Sequence, residues 1–469
     1  MKSITAYTTA LLLLFLSACK ISKDITTPKA PLPETFRNSN TTDSSGIASI
    51  EWKQFYTNED LQQLIDSTIA NNYDAQIAIN NIEAARLVLK QSKLGNLPEA
   101  KLQITGAINR PSDNSLNGLS LSQFLGKSYI EDYTANVAFS WEADIWGKIK
   151  NQKAKALAAY LQTGEAKKTI QTNLVSFVAN GYYNLLMLDA QIAIAKKNLL
   201  LNDSTLAIIN LQFNAGQVTA LAVQQAGAQR LVAALLIPQL EQEIVIQENA
   251  LSVLAAVSPA TIKRNRTINE VAFTDKLSAG IPSMLLQNRP DVKIKELQIN
   301  IANANTTIAK ANMYPSFTIT AAGGINAFKA SNWFNIPASL FATAFGGITQ
   351  PFFMRKELRT KFELAKIERE NSVIQFRQTV LTAVGEVSDA LVQVEKLKEQ
   401  QTIAATRVNI LLNGVSNANL LFKNGMANYL EVITAQSNVL QGELELAALK
   451  KQQLDAVVEL YRSLGGGWK

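Results

Sequence analysis

The sequence contains no histidine and a single cysteine among its 469 residues. Without histidine it lacks the commonest metal ligand, the commonest general base and every catalytic triad that uses one. Glycine (22) and proline (12) are also scarce, which favours long helices over an all-β fold with many turns. We therefore expect no catalytic residue, no metal site and no cofactor, and a chain that is not an enzyme.

The first 18 residues have the pattern of a secretory signal peptide, with Lys2, an apolar run from Ala10 to Leu16, and small residues before Cys19. The letters "LSAC" resemble the bacterial lipobox, in which the cysteine becomes the lipidated first residue of the mature chain. We expect lipidation at Cys19 and a lipidated N-terminal tail over residues 19–51. The alternative is cleavage after Ala18 that leaves a free thiol. In both cases the mature protein has left the cytoplasm.

Charge and hydropathy argue against two further classes. The net charge of +7 is spread along the chain, and its densest clusters, "KIKNQKAK" and "MRKELRTK", lack the interleaved aromatic residues on which bases stack. We expect a solvated basic surface and no nucleic-acid partner. After the leader no segment has eighteen consecutive apolar residues, so the sequence predicts no transmembrane helix, and entry into a membrane would have to use strands.

The sequence repeats itself once, at a spacing of about 210 residues. Pro98 in "SKLGNLPEAKLQITGA" corresponds to Pro315 in "AKANMYPSFTITAAGG", 217 residues later. Further along, "FNAGQVTALAVQQA" from Phe213 corresponds to "FKNGMANYLEVITA" from Phe422, 209 residues later. This spacing is far too long for a solenoid and predicts two copies of one large unit.

Each copy is expected to contain a helix, two strands and a long helical hairpin. We place repeat 1 at residues 52–257, a connector at 258–281, repeat 2 at 282–465 and a tail at 466–469. Apolar and polar residues alternate near 101–109, 133–142, 316–324 and 340–350, which predicts strands there. The first helices are expected over 58–97 and 282–314, ended by the prolines, and the polar stretch 109–128 is expected to be a loop.

Apolar residues in steps of three and four predict a coiled-coil seam in a helix over residues 146–212. The seam residues are Leu174, Phe177, Gly181, Leu185, Leu188, Ile192, Ala195 and Leu199. A helix of this length measures about 100 Å, and the second copy allows one over 355–421. The hairpins are expected to reverse at tips near 213–218 and 422–427, where glycine can cap the helix.

Four strands in two hairpins cannot close a barrel, and open sheet edges are not tolerated in lipid, so closure requires several chains. Aromatic residues gather near the expected strand ends, and both a membrane-interface girdle and ordinary core packing explain them. They are Trp141, Trp146, Phe352 and Phe353 at one end, and Tyr129, Trp333 and Phe334 towards the other. Export, strands and long polar helices together fit a β-barrel in an outer membrane continued by a helical tube into the periplasm.

Five stretches between Trp52 and Trp468 carry a family resemblance: "NRPDVKIKELQINIANANTTIAKANMYPSFTIT", "FSWEADIWGKIK", "GQVTALAVQQAGAQRLVA", "GGITQPFF" and "LYRSLGGGW". Through them the chain resembles the TolC-like outer-membrane efflux proteins, in particular the lipoprotein branch that works with resistance-nodulation-division pumps. One stretch departs from the family. After "QPFF" members carry an acid or small residue and paired glycines, whereas here Met354, Arg355 and Lys356 follow, which puts the local strand-to-helix bend in doubt.

The resemblance implies a mainly α-helical chain with a β-barrel part. Three copies would join twelve strands into one outer-membrane barrel, which a coiled-coil tube of helices continues into the periplasm. Such a homotrimer would be a passive exit duct for small molecules, drugs or toxic compounds, delivered by an inner-membrane transporter and a periplasmic adaptor. Two alternatives remain: the outer-membrane component of a type I protein secretion system, and a periplasmic coiled-coil adaptor, which predicts no strands after Pro98 and Pro315.

The resemblance also implies roles for residues at the hairpin tips. The residues that would dock the adaptor are Gly216, Gln217, Val218, Gly425, Met426 and Ala427. Family members close the periplasmic aperture with acidic residues after the second-copy glycine, at the positions of Glu431 and Thr434 here, of which only the first is acidic. The alternative for Glu431 is a solvated helix glutamate.

Overall fold

The computed structural model describes residues 32–37, 46–271, 273 and 278–469. The signal peptide and Cys19 lie outside the described residues, as do parts of the N-terminal tail and of the connector. The described residues divide into two compact units. The first consists of Glu83–Leu161 and Leu297–Ile374, and the second of the described part of Lys29–Ile82 together with Gln162–Glu296 and Gln375–Lys469.

Helices dominate the part of the chain that the structure describes. The α-helices found there are α1 Trp52–Phe55, α2 Glu59–Asn71, α3 Tyr73–Lys93, α4 Leu116–Leu125, α5 Lys148–Asn214, α6 Ala220–Leu254, α7 Leu285–Asn288, α8 Pro290–Ala311, α9 Glu357–Lys423 and α10 Tyr429–Ser463. The long helices α5 and α9 each contain 67 residues, and their hairpin partners α6 and α10 each contain 35. Both long helices begin and end two residues later than expected.

Two of the expected helices are each divided, so those expectations were wrong. The span 58–97 breaks at Asn72, whose side-chain oxygen accepts hydrogen bonds from the N–H groups of Asp74 and Ala75. Asparagine in this arrangement caps a new helix. The span 282–314 breaks at Arg289, which is extended because the residue before a proline disfavours the helical conformation.

The prolines do not end their helices, contrary to the sequence expectation. Helix α3 ends at Lys93 and α8 at Ala311, and a hydrogen-bonded turn follows each of them. Pro98 and Pro315 stand immediately before the strands instead. Proline is tolerated at a strand start because its missing N–H is not needed by the ladder there.

The four strands form one antiparallel sheet in the order β1-β2-β3-β4. They are β1 Glu99–Asn109, β2 Ile130–Glu142, β3 Ser316–Ala327 and β4 Leu340–Thr349. Strands that begin directly after Pro98 and Pro315 contradict the coiled-coil adaptor alternative. The stretch between β1 and β2 is not the simple loop expected, because it contains α4, capped by the Ser115 hydroxyl and ended by Gly126 at φ 59°.

The core of the second unit follows the expected seam of α5 with one exception. Leu185, Leu188 and Ala195 are buried, but Phe177 is 60% exposed, and Val178 takes the buried position. The prediction that Phe177 belongs to the seam was therefore wrong, because the buried position is one residue later, at Val178.

By length and composition alone, one helix of the described residues, α6, could cross a membrane. The sequence predicts no such helix from its apolar runs. In the structure Arg230 of α6 forms an ion pair with Asp203 of α5, and Leu240 packs against Leu188 and Ala195. These contacts make α6 the second arm of a hairpin with α5.

Candidate functional site

One candidate site is the sheet, whose two faces differ in polarity. The register places Leu102 opposite Val137, Val137 opposite Gly323 and Gly323 opposite Ala342. Directly opposed residues of antiparallel strands lie on the same face. That face, the apolar face, therefore collects Ala100, Leu102, Ile104, Gly106, Ile108, Tyr133, Ala135, Val137, Phe139, Trp141, Phe317, Ile319, Ala321, Gly323, Ile325, Ala327, Leu340, Ala342, Ala344, Gly346 and Ile348. Only Glu131, opposite Ile108 near one end of β2, interrupts it.

The alternate residues form the polar face. Their polar members are Glu99, Lys101, Gln103, Thr105, Asn109, Asp132, Thr134, Asn136, Ser140, Glu142, Ser316, Thr318, Thr320, Asn326, Thr343 and Thr349. Two aromatic residues of β4, Phe341 and Phe345, also lie on this face. A sheet with one apolar and one polar face can separate an apolar medium from water.

The apolar face is uncovered in the single chain. Leu102, Ile104 and Ile348 are exposed, although a soluble antiparallel sheet buries its apolar face against a core. Within the described residues β1 and β4 each pair on one side only, so two sheet edges lack a partner. Within the described residues, neither the apolar face nor the outer sides of β1 and β4 have a packing or pairing partner.

The connections of the strands to α3, α5, α8 and α9 all lie at one edge of the sheet, at the ends of the strands. This junction edge is formed by Glu99, Glu142, Ser316 and Thr349, because the start of β1 and β3 is level with the end of β2 and β4. The indole N–H of Trp146 donates to the Pro315 carbonyl at 2.7 Å, and its ring packs on Tyr314 with centroids 4.9 Å apart.

The aromatic residues near the strand ends do not form a buried core within the described residues. All seven named from the sequence are half-buried or exposed. Phe352 and Phe353, just beyond β4, are 96% and 86% exposed. Trp141 has a partner for its indole N–H, the Asn96 carbonyl at 2.8 Å, as expected of an amphipathic ring at a boundary.

The second strand-to-helix bend does without glycine. Gly147 precedes α5 with φ 73°, and Lys356, 209 residues later, precedes α9 with φ 65°. Arg355 is also left-handed, with φ 48°. Each such residue with a side chain costs about 1 to 2 kcal/mol, so the bend doubted from the sequence forms with backbone strain.

The two hairpin tips have the same geometry. Gly216 and Gly425 are left-handed, with φ 71° and 70°. The N–H of Gln217 donates to the Gln212 carbonyl at 2.8 Å, and that of Met426 to the Leu421 carbonyl at 2.9 Å. These bonds satisfy the last carbonyls of a helix in the way a glycine C-cap does.

The tips pack against one another and present a joint surface. Ile209 and Phe422 share an apolar cluster with Val432, and partly buried Val218 and Ala427 pack on it. The adjacent docking candidates Gln217 and Met426 are exposed. The structure thus brings together the six residues assigned to docking.

Glu431 and Thr434 are both exposed, three residues apart at the start of α10. Asn428 caps this helix by accepting from the Leu430 and Glu431 N–H groups at 2.9 and 3.2 Å. A carboxylate in the first turn is favoured by the helix dipole. Among the described residues no ion pair of Glu431 is present. This is consistent with both alternatives, a carboxylate that lines an aperture and a solvated helix glutamate.

Two features of the second unit escaped the sequence reasoning. Arg289 of the "RPDV" stretch is buried and binds Asp291, Glu386 and the Ser463 carbonyl, which ties the C-terminal turn to the start of α8. Its burial has no sequence signal besides the motif itself.

The other feature is a buried polar row between α5 and α10. Asn198 donates to the Gln436 carbonyl at 3.2 Å, Asn202 to Asn198 at 2.7 Å, and Gln436 to Thr205 at 2.9 Å. Asn198, Asn202 and Thr205 are spaced by four and three within an apolar stripe, and this pattern could have been recognised in the sequence.

Comparison with known proteins places these features in a family. The model of the outer membrane efflux protein family matches residues 64–257 and 281–466. The cation efflux system protein CusC of Escherichia coli O6:H1 is 26% identical over 460 residues, covering 97% of both chains. The toluene efflux pump outer membrane protein TtgC of Pseudomonas putida is 27% identical over 468 residues, covering 97% of this chain and 93% of that one. A solved membrane protein from Pseudomonas aeruginosa shares the fold, with a TM-score of 0.86 and 24% identity over 95% of this chain and all of that one.

Proposed function

The chain belongs to the outer membrane efflux protein family, and we propose on that premise that it is the passive exit duct of a tripartite pump. An inner-membrane transporter and a periplasmic adaptor would deliver small molecules to it. The observation that carries this proposal is the apolar face of the sheet, which extends across all four strands and is left uncovered. The strands contain 10 to 13 residues, and about 9 to 11 are needed to cross a bilayer.

The duct is proposed to be a homotrimer with twelve strands in one barrel and a tube of helices in the periplasm. Four strands are too few, because the smallest outer-membrane barrels have eight. The helices also carry apolar residues that the single chain leaves exposed. On α9 they recur every seven residues, at Ile367, Ile374 and Leu381 and again at Ile403 and Ile410. Such spacing suits packing against helices of neighbouring copies.

Two further parts of the proposal concern the chain itself. The equal lengths of α5 and α9, and of α6 and α10, support two copies of one structural unit. Lipidation of Cys19 would anchor the chain to the inner leaflet in addition to the barrel, so Cys19→Ala should still assemble, less efficiently.

The cargo is proposed no more narrowly than small molecules. The relatives named for cation efflux and for toluene efflux are 26% and 27% identical to this chain, so identity favours neither cargo. A duct that does not select its cargo is consistent with both.

The hairpin tips are proposed to dock the adaptor, and Glu431 to line the periplasmic aperture. Three Glu431 carboxylates around one axis would favour cations. Glu431→Gln should then lower the cation preference of single channels in planar bilayers. Glu370→Gln, which neutralises another exposed acid, is the matched control. Unchanged conductance and ion preference in Glu431→Gln would remove the aperture role and leave the solvated glutamate.

Oligomeric closure is tested by cross-linking β1 to β4 of the next copy. Gln103→Cys and Thr343→Cys place thiols on the polar face of β1 and β4, the two edge strands, and the native Cys19 would be lipidated. A flexible bismaleimide should give bands of one, two and three chains and none larger. Gln103→Cys alone should give only monomer. Absence of a three-chain band from the double variant, or bands beyond three, would contradict the trimer.

A further inference from the structure

We propose that the β4–α9 bend, residues 352–356, binds the headgroup of an anionic phospholipid in the leaflet that meets the junction edge. The proposal rests on the proposed function, because it requires the apolar face of the sheet to lie in a bilayer. It adds a lipid-binding site and the charge class of the lipid.

The bend presents apolar rings at the edge of the sheet. Phe352 and Phe353 contact almost nothing in the described chain, being 96% and 86% exposed. The side-chain amide of Gln350 donates to the carbonyls of Met313 at 3.2 Å and Pro351 at 3.1 Å, which fixes the root of the bend at the junction edge. Rings held at this level suit the interfacial zone of a bilayer.

The bend also carries two positive charges without acidic partners. Arg355 and Lys356 are exposed, and no ion pair or side-chain hydrogen bond of either occurs within the described residues. The nearby Glu357 is paired with Lys361. An arginine guanidinium matches a phosphate group in two parallel hydrogen bonds, and lysine adds a point charge.

The acidic groups at the junction edge are already engaged. Glu142 binds Lys148 at 2.9 Å, Glu99 binds Lys101 at 3.4 Å, and Asp144 accepts from the N–H groups that begin α5. Lys150 and Lys153 of α5 are exposed as well, with no ion pair in the described part of the chain. The surplus at this edge is therefore positive, which complements a phosphodiester.

Backbone strain gives an independent reason to look for a role here. Arg355 and Lys356 both have a left-handed backbone conformation, whereas the equivalent bend before α5 has Gly147 in this conformation. Glycine would remove the strain at no steric cost. A strained conformation that a simple substitution would relieve points to a function of the side chains retained there.

The test measures lipid preference of the full-length protein. The chain is reconstituted in nanodiscs with equal amounts of phosphatidylglycerol and phosphatidylcholine, and native mass spectrometry counts the lipids retained after release. Wild type should retain phosphatidylglycerol preferentially. Each cation near an anionic surface increases binding to it about fivefold. Arg355→Gln with Lys356→Gln should therefore reduce the preference for phosphatidylglycerol over phosphatidylcholine by about thirtyfold. Raising the salt concentration should also weaken it.

Two further variants separate charge from folding. Arg355→Gly with Lys356→Gly should lose the same preference while the bend keeps its left-handed conformation. Arg377→Gln with Lys423→Gln removes two exposed cations of the second unit and should leave the preference unchanged.

The outcomes are distinct from those of the proposed function. An unchanged preference in Arg355→Gln with Lys356→Gln, or an equal loss in the Arg377 and Lys423 control, overturns the lipid site. In a second set of nanodiscs that also contain lipid A, stronger retention of lipid A than of phosphatidylglycerol, lost in the same variant, also overturns it. Single-channel conductance in pure phosphatidylcholine should persist in all variants, and its absence from wild type would contradict the duct and not the lipid site.

Discussion

Replacing Arg289 with glutamine is predicted to release the C-terminal turn from the start of α8. The guanidinium is 5% exposed and donates to Asp291 at 3.0 and 2.6 Å, to Glu386 at 2.7 Å and to the Ser463 carbonyl at 3.0 Å. Without it Asp291 loses its counter-charge, Glu386 keeps only the Arg462 guanidinium at 3.4 Å, and a buried carbonyl loses a donor. The remaining contacts of the turn, such as the Trp468 indole donating to Asn288 at 3.2 Å, are weaker.

The expected size of this effect follows from the burial of the partners. Loss of one member of a fully buried ion pair costs about 3 to 5 kcal/mol. The carboxylates of Asp291 and Glu386 are 35% and 31% exposed, so water compensates part of the loss and we expect about 2 to 3 kcal/mol. If amide exchange occurs through local opening of the turn, this accelerates it by about 30- to 150-fold.

Hydrogen exchange followed by mass spectrometry can measure this in peptides that cover residues 460–468. Arg407→Gln is the matched control, because Arg407 and Glu445 form an exposed pair at 2.6 Å that contributes about 0 to 1 kcal/mol. The control should change exchange at its own site by less than about fivefold and leave the turn unaffected. Arg289→Lys should fall between, because an ammonium cannot reproduce the planar fork. Equal exchange in the turn for Arg289→Gln and wild type would refute the reasoning.

Three other substitutions or conditions have defined outcomes. Gly324→Ala should prevent the sheet from forming, because a Cβ would lie 2.0 Å from a carbonyl oxygen of β2, and should abolish the three-chain band when combined with Gln103→Cys and Thr343→Cys. Gly323→Ala, with 3.7 Å of clearance, should keep that band. Lys356→Gly should stabilise the bend by about 1 kcal/mol and slow exchange of the Thr360 amide about fivefold, and faster exchange would argue against strain at that position. Burial acts to raise the pKa of Asp291, but its guanidinium partner outweighs burial and holds the pKa below its ordinary value. The stabilisation by ionised Asp291 is thus complete above about pH 4 and is lost as the pH falls through the pKa of Asp291 in the folded protein. Protection of the C-terminal turn from hydrogen exchange, corrected for the intrinsic exchange rates, should therefore be constant from about pH 5 to 8 and fall below about pH 4.

Features that depend on neighbouring residues could be read from the sequence. The alternation in β2, from Tyr133 to Trp141, is strict because each side chain of a strand changes face, whatever the strand pairs with. The glycines of the two tips are equally local, since a left-handed residue after a helix favours glycine. Both long helices lie within two residues of the expected spans for the same reason.

Features that depend on a side chain finding a distant or unusual partner were missed. The break at Asn72 comes from a side-chain cap, and a helical pattern continues across it unchanged. Phe177 fits the seam by spacing as well as Val178 does, and only the packing of α5 shows which of the two faces inward. Pro98 and Pro315 were correctly placed between helix and strand, but the turns that separate them from the helix ends have no pattern of their own.

Periodicity and composition were enough to identify long helices, four strands and an exported chain, because backbone preference and solvent exposure act over a few residues. They could not show that four rows of apolar residues coincide on one face, since β3 and β4 are rich in alanine and glycine and alternate weakly by themselves. That face exists because hydrogen bonding fixes one register across the sheet, and a shift of one residue would turn each row to the other side. Nor could they show that Arg289 is buried against Asp291, Glu386 and the C-terminal turn, because segments more than 90 residues apart in the sequence meet there only in the folded chain.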